Sequence, residues 1–121
     1  MANLLPAVVE ASQAGVPLLL LTADRPHRLR GADANQAIDQ VGIFGSYPRA
    51  FHEMAPPTPD GPALRHLRSV ACRSVAAATG SNPGPVHVNF PFDKPLEPKD
   101  PPEDLLADDP LGLEGRSDGR P

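Results

Sequence analysis

The chemistry-bearing residues of this chain gather in one polar stretch, Ala23 to Gln40, which reads ADRPHRLRGADANQAIDQ. Arg25, Arg28 and Arg30 fall within six residues of one another there. Guanidinium forks grip carboxylates with two parallel N–H donors, so such a cluster suits recognition of an acidic small molecule. Asn35 and Gln36 add donors and acceptors that keep their charge state at every physiological pH. The same residues also suit a solvated loop capping a sheet, with Asp24 and Asp33 pairing the arginines, and the pattern alone leaves both readings open. The remaining chemistry is thin. His27, His52, His66 and His87 are scattered, and none is paired with another at metal-ligand spacing on one element. Cys72 has no neighbouring base on its own face and reads as a small packing residue. No glycine-rich phosphate loop, nucleophile elbow, zinc-protease helix or CxxC pair is present.

Something must hold that loop. Leu18-Leu19-Leu20-Leu21-Thr22 precedes it, a short apolar run between Pro17 and Asp24-Arg25-Pro26. Its length and flanks predict a strand buried on both faces of a parallel sheet. Upstream, Asn3 to Ala14 spaces Leu4, Leu5, Val8 and Val9 as one helical face, with Pro6 in the first turn and Gly15 at the close. Downstream, Ile38, Val41 and Phe44 suggest one or two helical turns, and Tyr47 to Met54 a short strand that Pro48 confines to a start or an edge. After the prolines at 56, 57, 59 and 62, Ala63 to Thr79 is the strongest helix, with Leu64, Leu67, Val70, Ala71, Ser74, Val75 and Ala78 in one stripe. Gly80 ends it, Asn82-Pro83-Gly84-Pro85 turns the chain, and Val86 to Phe90 reads as another strand. This order predicts an α/β fold with a partial, mainly parallel sheet and flanking helices. A loop after a buried strand of such a sheet lies at its carboxyl edge, where ligands bind. Three strands and two good helices leave bare sheet, as a piece of a larger domain would.

Composition narrows the classes. The 121 residues include 17 prolines and 10 glycines, together about 22 % and close to the low-complexity range of roughly 25–30 %. The excess sits in the Pro56–Pro62 loop and after Phe90, so the rest can be globular. Residues 1–90 carry arginine but no lysine and are almost neutral, whereas residues 91–121 are strongly acidic. A neutral body with few aromatic rings argues against a nucleic-acid surface. The acidic, proline-rich end reads as a solvated tail or linker. No run approaches the roughly 20 apolar residues of a membrane span, and no secretory signal is visible. The lone Cys72 excludes an internal disulfide.

The strings LLPAVVEA, LLLLTADRP, ADANQAIDQ and GPVHVNFPFDKPLEP, in that order and spacing across residues 2–98, resemble 2-succinyl-5-enolpyruvyl-6-hydroxy-3-cyclohexene-1-carboxylate synthase. This is a thiamine-diphosphate enzyme family of menaquinone biosynthesis. A leucine-rich strand and a GPV strand are general among thiamine-diphosphate decarboxylases and acetolactate synthases; ADRP followed by ANQAIDQ narrows the likeness. The resemblance implies that residues 1–90 form the C-terminal part of a pyrimidine-binding domain and residues 91–121 a linker towards a central domain. It implies decarboxylation of 2-oxoglutarate on thiamine diphosphate with Mg2+, addition of the product to isochorismate, a cytoplasmic homo-oligomer, and no nucleic-acid partner. By motif position Arg25 and Gln36 line the substrate side, Gln36 as the catalytic candidate, with Asn35 beside them. Arg28 and Arg30 are not carried over and read as solvated charges.

The sequence also departs from the family. The glutamate that activates the cofactor lies upstream of these motifs in the family, and Glu10 stands in no matching context. The diphosphate- and magnesium-binding motif is missing as well. These departures imply a truncated reading frame that binds no cofactor tightly and is inert alone. A fragment of another thiamine-diphosphate decarboxylase or acetolactate-type synthase, and a non-catalytic interaction module, are the alternatives.

Overall fold

A computed structural model describes residues 1–58, 60–94 and 110–120. Its elements run α1 (Leu5–Ala14), β1 (Leu18–Asp24), β2 (Ala50–Glu53), α2 (Gly61–Thr79), β3 (Pro85–Pro91) and α3 (Pro110–Leu113). A 3-10 turn, Ala2–Leu4, leads into α1, and another, His27–Leu29, sits in the polar loop. The sheet is three-stranded, entirely parallel and ordered β1-β3-β2, as the α/β alternation predicts. Leu18 pairs with Pro85 and Asp24 with Pro91; Ala50 pairs with Val86 and Glu53 with Asn89. All three strands therefore end at one edge, and the loop beginning at Ala23 leaves from it.

Each sheet face has its own core. On one side Val86 and Val88 of β3 pack with Met54, Val70 and Ala78, the last two from α2. On the other, Leu20 of β1 packs with Val8 of α1 and with Phe44. β3, the central strand, is buried almost throughout. Asp60 caps α2, its side chain accepting the Ala63 N–H at 2.8 Å, and Pro62 occupies the first turn, where it has no hydrogen bond to forfeit.

Four sequence expectations are corrected. β1 is not buried on both faces: Leu20, Thr22 and Asp24 are covered, but Leu19 is 43 % and Leu21 67 % exposed. β1 is an edge of the sheet, and the apolar core under α2 is built from β3 with Ala50 and Met54. The α2 stripe narrows for the same reason to Val70, Ser74 and Ala78, leaving Leu67 and Val75 exposed. In α1 the buried residues are Val8, Ala11 and Ser12, while Leu4 and Leu5 face outward. The segment through Ile38, Val41 and Phe44 forms turns, not a helix. Gly42 and Gly45 adopt φ of 62° and 59°, a left-handed backbone that ends any helical run; only Phe44 of the three is buried.

The link through Asn82-Pro83-Gly84 is held by Arg49. Its guanidinium donates to the carbonyls of Asn82, Pro83 and Ser12 and to Ser12 Oγ. A Cβ on Gly84 would lie 2.6 Å from Arg49 Nε, so only glycine lets this bridge form. Most of the proline-rich acidic segment, residues 95–109, lies outside the described residues. Beyond it, α3 rests against α2, with Arg68 Nη1 donating to the Leu113 carbonyl at 2.8 Å.

Candidate functional site

The carboxyl edge of the sheet carries a connected polar cluster. It arises from a simple pattern: Thr22 and Asp24 on β1, Glu53 on β2, and His87 and Asn89 on β3 share one face. Asn89 is its hub and is fully buried. Its Oδ1 accepts from the Thr22 hydroxyl at 2.7 Å. Its Nδ2 therefore points outward, donating to Asp24 Oδ2 at 2.9 Å and to Glu53 Oε2 at 3.0 Å. With its proton committed to Asn89, the Thr22 oxygen accepts from His87 Nε2 at 2.7 Å. This places a proton on His87 Nε2. Burial pushes the His87 pKa below its ordinary value, against a weaker upward pull from Glu53. The ring is wedged between Phe44, edge-on at 4.9 Å, and Phe51 at 5.0 Å.

One cation closes the cluster. Arg30 Nη2 lies 2.9 Å from Asp24 Oδ2 and also donates to Glu53 Oε1. The Asp24 side chain is only 1 % exposed and those of Arg30 and Glu53 are 21 % and 23 % exposed. Two carboxylates so placed need a permanent positive charge, because an unpaired buried charge costs several kcal/mol, roughly 3–5 on losing its partner. Arg30 is thus no solvated charge, which corrects the sequence expectation. Arg28 is closer to that expectation: it is exposed and donates to Asp93 at 2.6 Å. That contact lowers the Asp93 pKa, with the Lys94 N–H as a second cause. Cys72, expected as a packing residue, lies exposed on α2.

Of the three sequence candidates, Arg25 and Asn35 meet. Arg25 Nη2 donates to the Asn35 carbonyl at 3.3 Å, and the Arg25 N–H donates to Asp24 Oδ1 at 2.7 Å. Gln36 follows directly, exposed and with φ 59°, a left-handed backbone uncommon for a side-chain-bearing residue. The loop's return is tied by Gln40 Nε2, which donates to the Ala23 carbonyl at 3.0 Å. Arg25, Asn35 and Gln36 therefore stand above a sheet edge whose buried charges are already compensated. Among the described residues no group of three or more His, Cys, Asp or Glu side chains is placed to hold a metal. Asp24 was expected to pair an arginine, and it does so with Arg30, but Glu53, His87 and Asn89 were not singled out as partners by residue type. Their signal is register: polar residues two apart in otherwise apolar strands.

No family model matches the sequence. Among curated proteins the chain is 53 % identical over 122 residues to the 2-succinyl-5-enolpyruvyl-6-hydroxy-3-cyclohexene-1-carboxylate synthase of Roseiflexus castenholzii, covering 99 % of this chain and 21 % of that protein. It is 51 % identical over 118 residues to the synthase of the same name from Haloquadratum walsbyi, covering 94 % of this chain and 19 % of the relative. With the Halobacterium salinarum synthase it shares 48 % over 124 residues, 99 % of this chain and 21 % of the relative. The chain thus spans about one fifth of the length of the relatives it matches. Over nearly all of its own length, this α/β chain is a homologue of one segment of the 2-succinyl-5-enolpyruvyl-6-hydroxy-3-cyclohexene-1-carboxylate synthases.

Proposed function

We propose that this chain supplies the substrate-facing edge of a pyrimidine-binding domain in a thiamine-diphosphate-dependent transferase of menaquinone biosynthesis. The reaction decarboxylates 2-oxoglutarate and joins the product to isochorismate. The observation that carries this reading is the 53 % identity across essentially the whole chain, including the loop that stands over the carboxyl edge of the sheet. In this reading residues 1–90 belong to the pyrimidine-binding domain and residues 91–121 lead towards the next one. The whole enzyme is a cytoplasmic homo-oligomer acting on small molecules.

Arg25 is the carboxylate-holding residue. Arg25 is a partly buried residue whose guanidinium donates to the Asn35 carbonyl in an exposed hydrogen bond, a tether that reduces the side-chain freedom lost when an anion docks. Gln36 orients substrate by hydrogen bonding, and its exposed position lets its amide reach a ligand. Both are positioning and electrostatic tasks, with no proton transfer. Thiamine diphosphate supplies the electron sink for decarboxylation when bound. The residues described here do not fit its diphosphate and Mg2+: the carboxylates at the sheet edge are already engaged by Arg30 and Asn89. In this reading those groups are held by residues other than the described ones, and the chain alone is inert.

Grafting the chain into the Roseiflexus castenholzii synthase, in place of the matching fifth, tests the reading. The graft should turn over 2-oxoglutarate and isochorismate, and Arg25→Ala should depress kcat/KM by about 100-fold. A graft that melts like the parent yet lacks activity, or an Arg25→Ala graft as active as its parent, overturns it. Calorimetry of the 121-residue chain with thiamine diphosphate and Mg2+ tests inertness: tight binding by the chain alone would sink it.

A further inference from the structure

We propose that Arg30 is the positioning residue of the substrate loop: its ion pairs with Asp24 and Glu53 hold Arg25 in register with the sheet edge. The proposal rests on the reading above that Arg25 holds a substrate carboxylate. It stands on one chain of contacts. Asp24 divides its carboxylate between two ends of the same loop segment. Oδ1 accepts the backbone N–H of Arg25 at 2.7 Å, while Oδ2 receives Arg30 Nη2 at 2.9 Å and Asn89 Nδ2 at 2.9 Å. Arg30 also reaches across to Glu53 on the far strand. The six residues from Arg25 to Arg30, with the 3-10 turn His27–Leu29 among them, are thereby closed into a loop pinned at both ends to the buried Asp24.

Charge makes the pin obligatory. Asp24 and Glu53 both touch the Asn89 amide, and Arg30 is the permanent cation that pairs with both. The exposed His27 imidazole lies 3.7 Å from Glu53 and is charged only when protonated. If the loop lifted, two carboxylates would face each other with one neutral amide between them. No other permanent cation among the described ion pairs would then offset that repulsion. The loop segment between the pins is therefore held closed before substrate arrives. Displacing an anchoring group by about 1 Å can cost roughly 100-fold in rate.

The test is a double-mutant cycle in the graft described above. Arg30→Met is expected to raise KM for the substrate carboxylate that Arg25 holds and to lower kcat/KM by about 10- to 100-fold. Affinity for thiamine diphosphate should stay within twofold. Because Arg30 acts through Arg25, the Arg25→Ala/Arg30→Met graft should be no worse than Arg25→Ala alone. Arg30→Lys, which keeps the charge but loses the fork, should recover part of the loss, and it carries the same cycle if Arg30→Met unfolds the graft. Effects that multiply, or an Arg30 variant within twofold of the parent, overturn the proposal while leaving the role of Arg25 intact. An inactive Arg25→Ala graft beside a normal Arg30→Met graft fails this inference alone. A normal Arg25→Ala graft fails the functional reading itself.

Discussion

Asn89 is where the stability of the sheet edge can be measured most directly. Asn89→Ala removes two hydrogen bonds to carboxylates, at 2.9 and 3.0 Å, and the acceptor for the Thr22 hydroxyl. Hydrogen bonds to charged groups contribute roughly 1.5–3 kcal/mol each, and a buried polar group left unpaired adds a penalty. The expected loss is about 3–5 kcal/mol, at least a fifth of the roughly 5–15 kcal/mol that holds a small domain together. Asn89→Asp keeps the shape but replaces the amide donor with a third carboxylate, about 3 Å from the other two. At neutral pH it should be worse than Asn89→Ala. Acidification neutralises the added charge, so its deficit should shrink as pH falls. Urea unfolding of the 121-residue chain at pH 7.5 and pH 5 reads both effects. With a slope of about 1–3 kcal/mol per molar urea, Asn89→Ala should move the midpoint down by about 2 M. An Asn89→Asp chain as stable as Asn89→Ala, or one whose deficit widens in acid, would refute the electrostatic account.

Three further outcomes follow from other parts of the molecule. Gly84→Ala should cost about 1–3 kcal/mol by driving Arg49 from its bridge; with Arg49→Met it should add less than the two separate losses, as urea midpoints of the double variant will show. His87 has its pKa lowered by burial from the ordinary 6.5, so it contributes stability fully above pH 6.5 and loses that contribution as pH falls through its folded pKa. His87→Gln, which retains a donor for Thr22 but does not titrate, should flatten the pH dependence of the melting temperature below pH 6.5; an unchanged slope would count against this. Leu21→Ser should leave stability within about 0.5 kcal/mol, since the side chain is largely exposed, while reducing self-association seen by light scattering. Equal scattering by the two chains would show that the bare strand face is not the sticky one.

Local sequence determined the elements well where their signals were local. The apolar run at Leu18–Leu21, the α2 periodicity and the Asn82–Pro85 turn each encode their geometry within a few neighbouring residues, and alternation of strands and helices made the parallel sheet the natural packing. The position of the 23–40 loop at the carboxyl edge followed from that alternation, whereas Arg25, Asn35 and Gln36 were grouped by the motif resemblance and not by any local pattern. Burial was a different matter. Which face of β1 is covered depends on whether another element lies over it, and four leucines in a row look the same in either case; only the assembled sheet left Leu19 and Leu21 bare. The polar cluster was decided the same way. Arg30 looks like one of three equivalent arginines in the sequence, and what sets it apart is the strand register that brings Asp24, Glu53 and Asn89 to one edge although they lie up to 65 residues apart in the chain. Residue type told which side chains could bind an anion, and long-range pairing told which arginine was already committed to holding the edge together.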